Sequence, residues 1–560
     1  MKLEHLKIIR VVLSIIFFVA TTIVFIDLAG FIPYSVIDSV LYMQFVPSLI
    51  YFIYLPAIAG AGFIFILILT ALFGRVYCST VCPIGTFQDA FSFITKKIKR
   101  KKKYEYKKPH DILRYSILVL TAIFMAAGSL TLVNLLDPYS NFGRIITDMI
   151  RPVYVILNNE IAKAWEGNPV FYFYYFDFNT VKIGILAFSI VYLLAIIILS
   201  VLKGRLFCNT FCPVGTLLSL VSKYSLFQIT FDKEKCTACG LCGNVCKAEC
   251  INSPEMAIDF DRCVGCYNCL RVCPESGFEY KIPFRTLSGI HKKHPNNWIL
   301  NQVQNDKEKG IWMLKQVQHE KEKSKWMLNQ VQNDNSKNVK SKRNFIIISG
   351  AILLGVFGFI KAQAPKPKKE TKIPEKRKFP IIPPGAGSIR EYKAKCTGCH
   401  LCISACPSQV IQPSLFAFGL SGTQQPVMDY STGFCNFNCI ICTEECPSGA
   451  LLPVSKEKKK TLQLGKTTFI KDNCIVVTEK TECGACSEHC PTKAVQLVPY
   501  GKLLIPEVNN EICVGCGACE WACPTKPFKA IYVQGNTVHL IAKKPKTEKL
   551  KEKVQEDFPF

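Results

Sequence analysis

The amino-acid sequence predicts a multidomain membrane protein in which a helical membrane unit is joined to small cysteine-rich domains. Two observations predict this class. Four apolar stretches, at 11–32, 48–73, 114–136 and 181–202, are long enough to cross about 30 Å of hydrocarbon. In addition, 24 of the 29 cysteines fall into six runs of four, and all six runs lie outside those stretches. The chain of 560 residues therefore divides into apolar and cysteine-bearing parts.

The membrane unit is predicted over 1–225 as a four-helix transmembrane domain built from a duplicated two-helix repeat. The segment 74–86 recurs at 204–216, and each copy follows an apolar stretch and contains the pattern C-x3-C-P. Two interpretations of these motifs stay open. The four thiols could form an additional redox or metal site, or they could pack as small apolar residues at a tight helix exit. The cysteines concerned are Cys78, Cys82, Cys208 and Cys212.

The basic residues predict the side of the membrane that each part occupies. The net charge is +26, and lysines and arginines concentrate before the first apolar stretch and in 96–108, which the positive-inside rule assigns to the cytoplasm. Between two spans such a run indicates topology rather than nucleic-acid binding, so we expect no nucleic-acid partner. A fifth apolar stretch, within 344–361, would carry the chain outward again. We therefore predict a bacterial inner-membrane protein with cysteine runs on both its cytoplasmic and periplasmic sides.

The cysteine runs have the spacing of iron–sulfur ligands. Four follow C-x2-C-x2-C-x3-C, the bacterial ferredoxin pattern: Cys236, Cys239, Cys242 and Cys246; Cys263, Cys266, Cys269 and Cys273; Cys396, Cys399, Cys402 and Cys406; and Cys513, Cys516, Cys519 and Cys523. Two are variants: Cys435, Cys439, Cys442 and Cys446, and Cys474, Cys483, Cys486 and Cys490. In two-cluster ferredoxins the fourth cysteine of a run binds the neighbouring cluster. The runs therefore predict six [4Fe–4S] clusters bound in pairs.

Other cofactors explain these runs less well. Structural zinc usually has longer gaps between cysteine pairs. The pattern C-x-x-C-H at 396–400 matches haem c attachment, but a haem would leave Cys402 and Cys406 in register by accident, so we assign His400 no role. Only His5 and His110 lie near the membrane unit, both on its cytoplasmic flank, so we expect no haem. The run that ends at Cys246 departs from the ferredoxin pattern, because Lys247 stands where a proline usually follows the fourth cysteine. Cys250 is an alternative ligand to Cys246.

These features predict the following domains: 1–225, the membrane domain; 226–284, a cytoplasmic ferredoxin domain with two clusters; 285–343, a linker containing a 14-residue repeat; 344–361, a fifth transmembrane helix; 362–380, a Pro/Lys linker; 381–541, an extracytoplasmic α+β ferredoxin domain with four clusters; and 542–560, a basic tail. The basic residues before the fifth helix resemble a twin-arginine export signal, and an ordinary membrane anchor is the alternative.

The membrane unit, its two G-R-x2-C-x3-C-P loops and the first pair of runs resemble the NapH-type membrane ferredoxins. The C-terminal part, with its segment 383–388, Met428-Asp429-Tyr430 and its four runs, resembles the NapG and methylamine-utilisation type of periplasmic polyferredoxin. The chain thus resembles a fusion of two partners. This resemblance implies a quinol dehydrogenase component that oxidises menaquinol from the membrane quinone pool and passes electrons to a periplasmic reductase or cytochrome.

Two other functions stay open. The chain could conduct electrons from a cytoplasmic ferredoxin or flavoprotein without oxidising quinol, or it could be an accessory factor that matures a periplasmic metalloenzyme. The sequence does not reveal a quinone site. Asp137 is a candidate proton acceptor, with an ordinary helix-end aspartate as the alternative, and we interpret Arg75 and Arg205 as interfacial anchors.

Overall fold

The computed structural model describes residues 4–27, 32–56, 60–98, 104–164, 182–232, 234–282 and 371–544. By its internal contacts the chain divides into two units, and all described residues belong to the unit formed by Met1–Pro283 and Glu370–Phe560. The repetitive linker, the fifth transmembrane helix, residues 362–370 of the Pro/Lys linker and residues 545–560 of the basic tail lie outside the described residues. These parts of the domain organisation stay predictions.

The N-terminal part of the chain is helical. Its helices are α1 (Glu4–Ile26), α2 (Tyr34–Tyr42), α3 (Phe45–Tyr54), α4 (Gly62–Phe73), α5 (Tyr77–Thr80), α6 (Pro83–Ile98), α7 (Asp111–Ala126), α8 (Thr131–Leu136), α9 (Pro138–Ile145), α10 (Arg151–Ala164), α11 (Ile183–Lys203) and α12 (Pro213–Ser222), with π-helical turns at Ile146–Ile150 and Phe207–Phe211. The proline of each C-x3-C-P motif begins a helix, because proline lacks an N–H and its φ suits the first turn. The two motifs therefore stand at the starts of α6 and α12.

Two of the described helices, α1 over His5–Ile26 and α11, are long and apolar enough to cross a membrane. The pair α2 and α3, bent by 95° at their junction, would make a third crossing if it counts as one span. Along α1 the side chains of Ile8 and Ile16 are about half exposed, whereas Phe25 is buried. A helix face of exposed apolar side chains suits contact with lipid.

The four continuous spans predicted from the sequence are not confirmed. The stretch 48–73 is divided between α3 and α4, and Pro56 follows the end of α3, where a proline cannot continue a helix. The stretch 114–136 is divided between α7 and α8. Gly128 lies just after α7 with φ +75°, the left-handed conformation that ends a helix. Both signals are present in the sequence.

Residues 228–281 form a small domain of paired strands and short helices. Strand β1 (Gln228–Phe231) pairs with β4 (Phe278–Lys281), and β2 (Ile251–Asn252) pairs with β3 (Ala257–Ile258), both antiparallel. Helices α13 (Leu241–Val245) and α14 (Asn268–Val272) each contain the third cysteine of a run and end just before the fourth. The two halves of the domain therefore hold their runs in equivalent positions.

The C-terminal domain has the same short elements in larger number. Its helices are α15 (Ile389–Lys395), α16 (Leu401–Ser404), α17 (Ile441–Glu444), α18 (Lys456–Thr461), α19 (Ile475–Thr478), α20 (Ala485–Glu488) and α21 (Ala518–Ala522). Its strands form three antiparallel pairs: β5 (Ile411–Pro413) with β6 (Pro426–Met428), β7 (Leu462–Phe469) with β10 (Ile531–Ile541), and β8 (Val495–Tyr500) with β9 (Leu503–Val508). Two buried cores, around Tyr430 and around Val495, support these elements.

Candidate redox centres

The domain over 228–281 gathers its thiols into two groups, and each group takes one thiol from the other run. One space of about 370 Å³ is lined by Cys236, Cys239 and Cys242 together with Cys273, the last cysteine of the second run. The other, also about 370 Å³, is lined by Cys263, Cys266 and Cys269 together with Cys246. This exchange of the fourth cysteine is the arrangement of two-cluster ferredoxins.

Cys246 lies with the thiols of the second run although Lys247 follows it in place of the usual proline. The Lys247 carbonyl oxygen accepts a hydrogen bond from the backbone N–H of Arg205 at 3.0 Å. The Lys247 ammonium lies 3.2 Å from Asp89 Oδ1. The lysine therefore ties the ferredoxin domain to the helical unit.

Cys250 lines the same space as Cys246, and the two sulfur atoms are 3.5 Å apart. The hydrogen bond from Cys250 lowers the pKa of Cys246 to about 7. The same bond raises the pKa of Cys250 well above its usual value. Cys246 follows the last residue of α13 as Cys273 follows the last residue of α14, so its place in the fold favours it as the ligand.

The C-terminal domain repeats the exchange between the two runs at its far end. Cys474, Cys483 and Cys486 line a space of about 340 Å³ together with Cys523. Cys474 stands directly before α19 and supplies the first position despite its long gap to Cys483. The reciprocal group has Cys490 within electrostatic range of three thiols: Cys513, Cys516 and Cys519.

The other two C-terminal runs pair in the same way. Cys446 is within electrostatic range of Cys396, Cys399 and Cys402. Cys406 is likewise within range of Cys435, Cys439 and Cys442. The variant run that begins at Cys435 therefore partners the regular run that begins at Cys396, a pairing that the sequence left undecided.

A backbone hydrogen bond joins the two pairs of the C-terminal domain. The Cys435 N–H donates to the Cys516 carbonyl oxygen at 2.9 Å. The group of Cys435 and the group of Cys516 are therefore neighbours. The four groups follow one another in the order that begins with Cys399 and continues through Cys435 and Cys516 to Cys486.

The surroundings of the sulfur atoms fit thiolates that bind iron. Backbone N–H groups donate to the sulfur atoms of Cys273, Cys446 and Cys490 at 3.2, 3.4 and 3.2 Å. Hydrogen bonds to sulfur stabilise the ligated thiolate and tune the potential of an iron–sulfur cluster. Among the described residues, no three His, Cys, Asp or Glu side chains form a group that could hold a single metal ion.

The C-terminal ferredoxin domain packs directly on the helical unit through Arg144. Arg144 is fully buried, and its Nε and Nη2 donate to the carbonyl oxygens of Gly398 and Thr397 at 2.7 and 3.0 Å. A further bond, from Arg144 Nη1 to the Asn134 carbonyl oxygen, is 2.7 Å long. The loop between the first two cysteines of the Cys396 run is thus anchored to α9.

His400 belongs to the same interface and is not the bystander that the sequence suggested. It is completely buried, and its Nδ1 lies 3.2 Å from Asp148 Oδ1 in the first π-helical turn. Its Nε2 lies 3.0 Å from the Gln424 carbonyl oxygen, and Ser189 Oγ donates to Asp148 Oδ2 at 2.7 Å. No spacing signals this contact, because 252 residues separate the two side chains.

The C-x3-C-P motifs lie side by side within the helical unit, and all four cysteines are buried. Arg75 and Arg205 are also completely buried, so their interpretation as interfacial anchors is wrong. Each arginine bonds to the other copy of the repeat: Arg75 Nη1 to the Gly215 carbonyl oxygen at 2.9 Å, and Arg205 Nη1 to the Cys78 carbonyl oxygen at 2.7 Å.

Asp137 caps α9 inside the protein. Its Oδ2 accepts hydrogen bonds from the Ser140 N–H and the Ser140 hydroxyl at 2.9 and 2.6 Å. Burial raises the pKa of Asp137 although these bonds oppose the shift. The carboxyl therefore has a structural role as a helix cap and a raised affinity for a proton.

The fold and the thiol groups together define an iron–sulfur electron-transfer protein. Four matches to protein-family models agree with this class. Segments 395–475 and 481–526 each match a 4Fe-4S dicluster domain. A 4Fe-4S binding domain matches 256–276, and a different 4Fe-4S binding domain matches both 55–102 and 185–233, the two copies of the duplicated segment.

The relatives carry ferredoxin names. The ferredoxin-type protein NapH of Haemophilus influenzae is 24% identical over 234 residues, which cover 40% of this chain and 68% of the relative. The ferredoxin-type protein NapF of Escherichia coli K12 is 27% identical over 24% of this chain and 74% of the relative. The methylamine utilization ferredoxin-type protein MauM of Methylophilus methylotrophus is 30% identical over 24% of this chain and 62% of the relative. No solved structure matches the chain. The chain is related to these proteins, and the predicted resemblance to a NapH-like polyferredoxin fusion is confirmed.

Proposed function

We propose that the chain carries electrons across a bacterial inner membrane between its two ferredoxin domains, which lie on opposite sides. The main support is the course of α1. Near its start, Lys7 is within electrostatic range of Cys266. Near its end, the Phe25 ring and the Cys399 carbonyl oxygen both pack against Gly143. These two positions on α1 are about 27 Å apart along the helix axis, close to the ~30 Å thickness of the hydrocarbon core.

In this proposal the 24 cysteines of the six runs bind six [4Fe–4S] clusters in the crosswise groups described above. Such clusters supply one-electron transfer. The protein holds the ligands in place and keeps most of them away from water. Cys239 is exposed, unlike most of the other ligands, so the group at Cys239 is where a soluble partner would exchange electrons with the N-terminal ferredoxin domain.

Menaquinol is our first candidate for the electron donor. A quinol releases two protons with its two electrons, so its site needs a proton acceptor. Asp137 suits this role because it is buried, its pKa is raised, and it lies within electrostatic range of Tyr139, which is itself within range of Cys399. The exposed Cys239 supports the second candidate, a cytoplasmic ferredoxin or flavoprotein that donates electrons at the N-terminal domain. The acceptor would be a periplasmic reductase or cytochrome.

The donor test uses the full chain in liposomes that enclose a membrane-impermeant electron acceptor. Reduced menaquinone in the bilayer should bleach the visible absorbance of the protein, and Asp137→Asn should slow this at least tenfold while dithionite still reduces it fully. Glu160→Gln, at an exposed ion pair, is the control. If quinol is inert but external reduced ferredoxin reduces the enclosed acceptor, the menaquinol donor is wrong. If neither donor drives electrons across, the proposal of transmembrane transfer is wrong.

The sidedness can be tested with an impermeant amine-reactive label on intact spheroplasts, followed by mass spectrometry. Lys458 in α18 and Lys235 in the N-terminal ferredoxin domain are both exposed. The label should modify Lys458 and spare Lys235 until the cells are lysed. Equal labelling of both lysines in intact spheroplasts would contradict a placement on opposite sides.

A further inference from the structure

We propose that Cys78, Cys82, Cys208 and Cys212 jointly hold a further [4Fe–4S] cluster, which lies between the two ferredoxin domains. Each C-x3-C-P motif supplies two of the four thiolates, so the site exists only when both copies of the repeat come together. The binding site itself stands on the geometry of these residues. Its role as an intermediate electron carrier rests on the proposed transmembrane transfer.

The two copies of the repeat pack against each other through their arginines. Arg75 Nη1 donates to the carbonyl oxygen of Gly215, and Arg205 Nη1 donates to that of Cys78. The glycines leave room for this: a Cβ on Gly85 would lie 2.7 Å from Arg205 Nη1 and 2.1 Å from the Cys78 carbonyl oxygen. A Cβ on Gly215 would lie 2.2 Å from the corresponding carbonyl oxygen of Cys208. Each arginine thus lies against the glycine of the other copy, although the two carbonyl oxygens that accept its hydrogen bond, those of Gly215 and Cys78, are not at equivalent positions of the repeat.

This packing brings the four thiols into one group. Cys82 is within electrostatic range of Cys78 and Cys208, and Cys212 is within range of all three others. Their side chains are buried to within a few per cent of complete exclusion from solvent. Two thiols from one segment and two from its repeat make the four-ligand set that a cubane cluster takes, one thiolate per iron.

The group is also equipped to hold negative charge. The Gly215 N–H, in the first turn of α12, donates to Cys212 Sγ at 3.3 Å, and Gly85 offers the equivalent bond to Cys82. Arg205 Nη1 lies 3.8 Å from Cys208 Sγ. Four cysteine thiolates around a cluster carry net negative charge, and burying it requires cations and aligned N–H groups nearby. Arg75 and Arg205 are two such cations, and Asp89 balances part of the charge of Arg205.

On one side, the group adjoins the N-terminal ferredoxin domain. Arg75 Nε donates to the Cys263 carbonyl oxygen at 3.3 Å, and Ser79 Oγ donates to the Gly265 carbonyl oxygen at 3.3 Å. Arg75 and Ser79 flank Cys78 in the chain. The thiol group is therefore separated from the Cys263 run by side chains that contact both.

On the other side, a short series of polar side chains leads towards the C-terminal domain. Tyr77 is within electrostatic range of both Cys82 and Asp137. Tyr139 is within range of both Asp137 and Cys399. The two ferredoxin domains contact α1 at positions about 27 Å apart, a long distance for a single electron-transfer step because the rate falls steeply with separation. A centre at the four thiols divides that distance, with one electron arriving from one ferredoxin domain and one leaving to the other.

Metal analysis of the intact protein, purified without oxygen in detergent, tests the site. Six clusters require about 24 iron and 24 acid-labile sulfide per chain, and the additional cluster raises both to about 28. We expect the higher value. Iron near 24 with one tightly bound zinc, iron near 24 with a disulfide among the four cysteines, or iron near 24 with four free thiols would each overturn the inference.

A double variant, Cys82→Ser with Cys212→Ser, removes one ligand from each copy. We expect it to lose about four iron per chain and one component of the electron paramagnetic resonance spectrum of the reduced protein, with the ferredoxin signals retained. The matched control is Thr86→Ala with Thr216→Ala, at equivalent positions whose hydroxyls bond only to the carbonyl oxygens of the second cysteines. Unchanged iron in the cysteine variant contradicts the site. Should that variant fail to fold, the iron count of the unaltered protein still decides.

The same preparations separate this inference from the proposed function. Iron near 28 without transfer across liposomes would retain the four-thiol site and overturn transmembrane transfer. Iron near 24 with transfer intact would overturn the four-thiol site and retain transmembrane transfer. If both hold, the Cys82 and Cys212 double variant should lower the transfer rate at least tenfold, whereas the threonine control should not.

Discussion

Arg205 Nη2 lies 2.9 Å from Asp89 Oδ2, and both side chains are buried between the helical unit and the N-terminal ferredoxin domain. Asp89 also pairs with Arg10 of α1 and with Lys247 beside Cys246. One carboxylate thus joins the first helix, the second copy of the repeat and the ferredoxin domain. Because its removal leaves three cations facing one another in a buried place, this ion pair network should be sensitive to a single substitution.

Asp89→Asn should therefore destabilise the protein by about 3–5 kcal/mol, the usual cost of breaking a buried ion pair by removing one partner. Thermal unfolding of the purified protein in detergent measures this. Glu160→Gln breaks the exposed pair with Lys163 and should change the stability by less than about 1 kcal/mol. An equally small effect for both variants would contradict the structural role of Asp89.

Asp89 also predicts the response to acid. Burial favours a raised pKa, but Arg205, Lys247 and Arg10 outweigh it and hold the pKa of Asp89 well below its ordinary value. A depressed folded-state pKa contributes stability that is complete above the unfolded value of about 3.9 and is lost as the pH falls below it. The unaltered protein should therefore lose stability more steeply than Asp89→Asn below about pH 4. Parallel unfolding curves from pH 5 to 3 would contradict this assignment.

Arg144→Ala should loosen the C-terminal ferredoxin domain from the helical unit, because the Gly398 and Thr397 carbonyl oxygens and their buried surroundings lose their donor. Leaving a buried carbonyl oxygen without its donor costs about 1–3 kcal/mol. Limited proteolysis should cut the variant faster near 397–400, with the iron content unchanged. Lys163→Ala, at an exposed position of α10, serves as the control. Loss of all iron would indicate a folding defect instead of a weakened interface.

Cys523→Ser should remove the cluster bound by Cys474, Cys483 and Cys486, not the one bound by the other cysteines of its own run. We expect about four fewer iron per chain and loss of one paramagnetic component of the reduced protein. Cys490→Ser is the reciprocal variant and should affect the group of Cys516. If both substitutions remove the same component, the crosswise pairing in this part of the domain is wrong.

Cys250→Ser should leave the iron content unchanged, because Cys246 follows the last residue of α13 as Cys273 follows the last residue of α14 and so holds the position of the fourth ligand. Cys246→Ser should either lower the iron content by about four per chain or transfer ligation to Cys250, whose sulfur is 3.5 Å away. The double variant separates these two outcomes. Loss of iron from Cys250→Ser alone would make Cys250 the ligand and contradict the assignment of Cys246.

The sequence by itself determined which cysteines form each run, because three thiols at x2 spacing reach one cluster through a single turn of backbone. It also predicted the long apolar helices α1 and α11, because segments of that length and apolar composition are typical of helices that cross a membrane. It predicted that runs work in pairs and that the C-x3-C-P segments are duplicated. Each of these features depends on residues close together in the chain, so spacing and composition suffice.

Only the tertiary structure decided which distant parts meet. It pairs the Cys474 run with the Cys513 run, joins Cys435 to Cys516, and places His400 against Asp148 across the domain interface. It also buries Arg75 and Arg205 between the copies of the repeat. These outcomes depend on packing between segments far apart in the chain, where many arrangements satisfy the same local pattern and the buried hydrogen bonds select one.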